Sequence, residues 1–207
     1  MEDFVRKKHW EIIYQTTNQK DLSWYELQPE TSLSFIEKLN LPVTAKIIDM
    51  GAGDSLLVDR LVDLGYRDIT LLDISEPALK RAKSRLGRRG VGLKWIVADA
   101  TNYQPTEKYD VWHDRALFHF LTREEEISTY LETAYQSMRP DGILVIGTFS
   151  ALGPKMCSGM EVRRYSEQEL TQRLDKYFVK LECITMDHET PSTILQNFTF
   201  CSFRKRI

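Results

Sequence analysis

Apolar residues in this chain gather into short unbroken runs, and between the runs they recur at helical spacing, so buried strands are predicted to alternate with amphipathic helices. Four runs predict strands over 46–50, 69–73, 93–97 and 109–112, and a fifth over 143–149 follows the turn residues Pro140-Asp141-Gly142. Helices are predicted over 56–64, where positions 57, 58, 61 and 62 are apolar and Gly65 stops the pattern, and over 76–86, where Ser75 stands ready to cap. Thr122 with Glu125, and Ser166 with Glu169, have the spacing of capping boxes and start helices near 123–138 and 167–174. The order then changes. Apolar segments 179–187 and 195–203 are joined by a loop too short for a parallel crossover, so they form an antiparallel hairpin. Upstream, a helix near 4–14, a polar loop and a second helix near 30–39 precede the sheet. The expected fold is α/β: a doubly wound, mostly parallel seven-stranded sheet with a C-terminal antiparallel hairpin. Residues 1–40 form an N-terminal helical cap on it, and 41–207 form the main domain.

Composition narrows the field without naming a chemistry. The 207 residues suffice for one substantial core, 42% of them are hydrophobic, and no apolar run approaches the roughly 18 residues of a membrane span. A net charge of -2 gives no global attraction for a polyanion, and Arg6-Lys7-Lys8 and Arg204-Lys205-Arg206 read as solvated ends. Neither a nucleic acid nor a membrane is expected as a partner. Cys157, Cys183 and Cys201 form neither a CxxC pair nor an even set, so reduced thiols and a cytoplasmic location are expected. The histidines and cysteines lack metal-ligand spacing, so no metal site is expected.

Candidate chemistry concentrates where the first three strands end. The first runs into Asp49-Met50-Gly51-Ala52-Gly53-Asp54-Ser55 and then a helix, an arrangement that lets backbone approach a ligand beside a helix N-terminus. A dinucleotide fingerprint would need a small residue at position 56, where this chain has Leu56. Acidic residues at 49 and 54 suit an ammonium better than a pyrophosphate. Asp73 ends the second strand 20 residues beyond Gly53, where a carboxylate can accept both hydroxyls of a ribose. Asp99 ends the third and reads either as a partner for an adenine amino group or as a cap for Thr101 or Asn102.

These segments together resemble the class I, S-adenosylmethionine-dependent methyltransferases, a Rossmann-like fold, from about residue 46 to the C-terminus. The sequence Ile47-Ile48-Asp49-Met50-Gly51-Ala52-Gly53 resembles that superfamily's first motif, Leu72-Asp73-Ile74-Ser75 its second and Ala98-Asp99-Ala100 its third. The resemblance implies S-adenosyl-L-methionine as cofactor. It places Gly51 and Gly53 against the methionine part, Asp73 on the ribose and Asp99 on the adenine, with Asp49, Ile74 and Ala100 beside them. Other segments resemble a branch of free-standing, chiefly bacterial enzymes: His9-Trp10, Ser23-Trp24-Tyr25, Trp112-His113-Asp114-Arg115, Phe118-His119-Phe120-Leu121, Cys157-Ser158-Gly159 and His188-Glu189-Thr190-Pro191. More distantly, the aromatic N-terminal segment is similar to small protein lysine methyltransferases, and the overall size to thiopurine and tellurite-resistance methyltransferases.

Methyl transfer needs alignment, exclusion of water and, for some acceptors, a base. Sites in open α/β sheets lie beyond the carboxyl ends of the strands, which makes His113, Arg115 and His119 the catalytic candidates. Each histidine reads either as a proton acceptor or as a packed side chain, and Arg115 either as a carboxylate clamp or as a salt bridge to Asp114 or Asp110. By the resemblance, the segment holding Trp24 folds over the cofactor. Cys157 reads as an ordinary thiol and Arg163-Arg164 as solvated surface. The expected acceptor is a small molecule. A protein lysine is the alternative, and an NAD-dependent oxidoreductase, opposed by Leu56 and the final hairpin, is the alternative from another class.

Overall fold

The computed structural model describes residues 2–207, with side chains from Val5 onward. Strands β1 (Ile47–Met50), β2 (Ile69–Asp73), β3 (Lys94–Val97), β4 (Tyr109–Arg115) and β5 (Met138–Phe149) pair in parallel in the order β3-β2-β1-β4-β5. Helices α3 (Leu57–Asp63), α4 (Glu76–Leu86) and α5 (Glu124–Ser137) make the crossovers, and α6 (Glu167–Leu174) precedes β8 (Phe178–Glu189) and β9 (Leu195–Lys205). Strand β9 runs antiparallel between β5 and β8, completing seven strands. The chain extends the sheet to one side of β1 with β2 and β3, then to the other with β4 and β5. The crevice at that reversal is where open sheets of this kind bind ligands.

Alternation along each strand divides the core between the two faces of the sheet. Ile47, Val111 and Val145 pack with Phe35, Leu61 and Phe200 on one face, while Ile48, Trp112 and Ile146 pack with Tyr130, Leu131 and Leu170 on the other. Helix α2 (Glu30–Glu37) contributes Phe35 and Ile36 to the first layer. The second half of the expected cap thus belongs to the main core. Helix α1 (Glu2–Thr16) and the loop after it bury Tyr14 and Leu22 against Ala78 of α4, with Trp10, Trp24 and Tyr25 alongside.

Several boundaries differ from expectation for local reasons. Ser166 and Glu169 do form a capping box. The helix expected after Thr122 instead takes Arg123 as its N-cap with no side-chain cap bond, and three glutamates in its first turn complement its dipole. Strand β4 continues to Arg115, so His113 and Asp114 are strand residues rather than loop residues. Between β5 and α6 lies a small hairpin of β6 (Met156–Cys157) and β7 (Met160–Glu161), closed by Ser158 and Gly159 at positive φ. The expectation of reduced thiols is corrected at two positions: Cys183 and Cys201 stand opposite each other on β8 and β9 and form a disulfide, with Cα atoms 4.1 Å apart. Spacing along the sequence concealed this pair, because hairpin register brings the two side chains together. Cys157 is free and buried. Among the described residues, no helix is long and apolar enough to cross a membrane.

Candidate active site

Beyond the carboxyl ends of β1, β2 and β4 lies a cleft enclosing about 840 Å³ including its open mouth, of a size suited to a nucleoside ligand with a second small molecule. One half is lined by Asp73, Ile74, Ala98, Asp99 and Ala100, with Gly51 on its floor. Asp73 is held rigidly: its Oδ2 accepts from the Gly53 N–H at 2.8 Å and its Oδ1 from the Ser75 N–H at 2.7 Å. Burial pushes its carboxyl up to about 6, against the pull of those two donors, and the neighbouring Asp49 and Asp54 add to the rise. Each oxygen keeps lone-pair capacity for one further donor. Asp99 Oδ1 caps Thr101 through both its N–H and its hydroxyl, while Oδ2 lies 3.3 Å from Arg6 Nη1. Both readings of Asp99 thus meet in one side chain, since it caps Thr101 and also lines the cleft.

Gly51 and Gly53 adopt φ of +66° and +54°, which disfavours any side chain there. A Cβ at Gly51 would stand 2.8 Å from Leu117 Cβ, and one at Gly53 would strike the Tyr14 hydroxyl. The second contact had no sequence signal, because Tyr14 belongs to α1 and reaches the motif across the cleft. Arg6, read as a solvated end, instead bridges Asp99 and Glu126, the latter at 2.6 Å.

The other half of the cleft is aromatic. Trp10 meets Phe120 edge-on at 5.0 Å and Trp24 at 5.8 Å, with Tyr14 against Trp24 at 6.0 Å. Phe149, Phe198, Cys157 and Gln196 complete that wall. Trp24 therefore sits over the cleft, fixed by its neighbours. Arg115 Nη1 donates to the Trp24 carbonyl at 3.0 Å, and Nη2 lies 2.9 Å from Glu26 Oε1 as an ion pair outside hydrogen-bond alignment. His188 Nε2 donates to the Ser23 carbonyl at 2.7 Å, and its Nδ1 lies 3.3 Å from the same Glu26 oxygen. Burial works to raise the Glu26 carboxyl, yet His188 and Arg115 together hold it below the ordinary range.

The three catalytic candidates take different positions. His113 is buried outside the cleft lining, with Nδ1 2.7 Å from Asp49 Oδ1 and Nε2 2.9 Å from Ser32 Oγ. Its packed alternative is what the structure shows, and Asp49 is engaged with it rather than lining the cleft. Arg115 lines the cleft, but its partners are Glu26 and Trp24 instead of Asp114 or Asp110. Asp114 accepts from the Leu117 and Phe118 N–H groups and from the Tyr130 hydroxyl, shaping the turn that carries Leu117 to Gly51. His119 lines the cleft and stacks on Phe149 with centroids 4.3 Å apart. Burial, with Arg115 nearby, lowers its pKa to about 3, which favours its packed reading over that of a base titrating near neutrality.

Residues 47–142 match the family described as a methyltransferase domain. Over those residues the chain is similar to methyltransferase domains, and its whole sheet shares the fold of solved methyltransferases. The eEF1A lysine and N-terminal methyltransferase of Mus musculus is 32% identical over 130 residues, which cover 61% of this chain and 18% of that protein. This chain thus spans less than a fifth of that relative's length. Two solved structures share the fold. The N-methyltransferase NodS of Bradyrhizobium japonicum, in complex with S-adenosylhomocysteine, has a TM-score of 0.75 at 14% identity, covering 97% of this chain and 98% of its own. The 1,6-didemethyltoxoflavin-N1-methyltransferase of Burkholderia thailandensis, with bound 1,6-didemethyltoxoflavin and S-adenosylhomocysteine, has a TM-score of 0.72 at 20% identity, covering 100% and 87%. The reversed β9 sets this methyltransferase fold apart from the nicotinamide-binding alternative.

Proposed function

We propose that the methyltransferase domain transfers the methyl group of S-adenosylmethionine to a small-molecule acceptor held in the aromatic half of its cleft. The observation that carries this reading is the roof: Trp10 and Tyr14 of α1 and Trp24 of the following loop cover the site, and the Arg115–Glu26–His188 cluster ties that loop to β4 and β8. Such a cover suits a ligand enclosed whole. The carboxylates fit the cofactor's nucleoside, with Asp73 accepting from ribose hydroxyls and Asp99 near the adenine, while the apolar Ile74 and Ala100 flank a flat base. When bound, the cofactor supplies a methyl group activated by a cationic sulfur, and the aromatic faces favour that charge and exclude water.

Among the described residues, the polar groups lining the acceptor half are those of Ser23, Arg115, His119, Cys157 and Gln196, the Trp10 and Trp24 indole N–H groups, and the Tyr14 phenol, which burial keeps protonated. None is a base at neutral pH: Arg115 is an ion-pair cation, burial pushes the Cys157 thiol up, and His119 holds its proton on the nitrogen that faces no partner. The acceptor must therefore arrive with its attacking lone pair already free, and any proton is lost after transfer. A protein amino group is the second reading, favoured by the name of the mouse relative. A lysine ammonium needs prior deprotonation, for which this half of the cleft has no group, and that weighs against it. Incubation with methyl-labelled S-adenosylmethionine and the two fractions of a cell extract separates the readings. Label in the small-molecule fraction is expected, label in protein would favour the second, and label in neither would overturn both.

A further inference from the structure

His119 is a titratable group in the cleft that the methyl transfer outlined above leaves without a role. Its Nδ1 accepts from the Phe149 backbone N–H at 3.2 Å. A ring nitrogen that accepts carries no proton, so the proton of the neutral imidazole sits on Nε2. Among the described residues, Nε2 is buried with no hydrogen-bond partner. A buried donor left without a partner costs roughly 1–3 kcal/mol. The ring is otherwise fully committed: stacked on Phe149 at an interplanar angle of 15°, edge-on to Phe120 at 4.6 Å, and tilted against Phe198 at 6.3 Å. The charged group facing it is Arg115, already paired with Glu26.

We infer that His119 is the specificity-determining donor of the acceptor half, and that its Nε2–H receives a flat, uncharged heteroaromatic acceptor through a ring nitrogen or carbonyl oxygen. This rests on the small-molecule reading above and narrows it. Planarity follows from walls built of Phe120, Phe149, Phe198 and two tryptophans. An uncharged ligand follows because Glu26, the carboxylate beside that half, is already paired with Arg115 and His188, which leaves no counter-charge for a bound cation and no unpaired Arg115 for a bound anion. The hydrogen-bonded atom is distinct from the methylated one, since a donor placed on the attacking lone pair would withdraw the electrons the transfer needs. The acceptor therefore carries two lone-pair atoms, one for His119 and one for the methyl group.

Two measurements test this on the full chain. In the protein saturated with S-adenosylhomocysteine, nitrogen NMR of labelled histidine should show His119 with a bare Nδ1 and a protonated Nε2 from pH 5.5 to 8. A protonated Nδ1 would overturn the inference, whatever the enzyme's substrate. Calorimetry with quinoline and naphthalene, which differ by one ring nitrogen, should give about 5-fold tighter binding of quinoline. The preference should vanish in His119→Phe, which keeps the stack and removes the donor. Equal affinities in the wild-type protein, or a preference that survives the substitution, would overturn it. If His119→Phe no longer binds S-adenosylhomocysteine, the wild-type pair alone decides. If the wild-type protein binds no S-adenosylhomocysteine, the methyltransferase reading itself fails, and the nitrogen spectrum still reports the tautomer.

Discussion

The two halves of the cleft are built in opposite ways. In the cofactor half, each carboxylate sits at or just beyond a strand end and accepts from nearby backbone N–H groups, Asp73 from Ser75 and from Gly53 in the turn after β1, and Asp99 from Thr101. In the acceptor half, the wall comes from α1, the loop after it, the turn after β4, the end of β5 and β9, and rigidity comes from ring packing and the Glu26 cluster. A site fixed by backbone tolerates little change in a few residues. One assembled from distant side chains spreads its dependence over many, and is freer to change its ligand.

The sharpest break in this comparison is expected at Gly51. Its positive φ and the 2.8 Å approach of Leu117 leave no room for a β-branched side chain, so Gly51→Val should abolish S-adenosylhomocysteine binding. Retained affinity by calorimetry in a protein that melts normally would show that the motif is not the cofactor's floor. Next comes Asp73→Ala, which should weaken the cofactor by ~1–3 kcal/mol as two hydroxyls lose a charged acceptor. Unchanged affinity would remove Asp73 from the site.

A pH titration sharpens the same point with a smaller effect. The Asp73 carboxyl sits at about 6 when folded against an ordinary 3.8, so between those values the folded state binds the extra proton. Stability from this group is therefore gained as pH falls through about 6 and lost as pH rises above it. Cofactor hydroxyls need the carboxylate, so affinity should run the other way and weaken about 10-fold between pH 7 and 5. Flat affinity over that range would contradict the assignment.

The smallest effect on binding, and the most telling for the acceptor half, is expected from Trp24→Ala. Cofactor affinity should shift by less than about 3-fold while the methyl-transfer rate falls about 10-fold, because a cover acts chiefly on positioning and water exclusion. An equal loss in both would make Trp24 part of the cofactor half instead.

This contrast also explains what could be read in the sequence. Gly51, Asp73 and Asp99 were legible because a strand, a tight turn and a helix fix their neighbours within a few residues. The seven strands were legible because their faces alternate or are wholly apolar. His113 was misplaced as a cleft residue because the continuation of β4 through it turns its ring toward Asp49 and Ser32. Phe149, Phe198 and Gln196 carried no signal, because their place at the cleft depends on β9 lying beside β5. Glu26 and His188 lie far apart in the chain and meet only once the hairpin returns under the loop after α1. The disulfide was hidden because it depends on the register of the hairpin rather than on cysteine spacing.

The crevice between β1 and β4 is assigned to S-adenosylmethionine. Calorimetric titration of the wild-type protein with S-adenosylhomocysteine and, separately, with NADH tests it most directly. One S-adenosylhomocysteine site with a Kd of ~1–100 μM and no heat from NADH is the predicted result. No binding of S-adenosylhomocysteine or S-adenosylmethionine, or NADH binding in competition with either, would contradict that assignment.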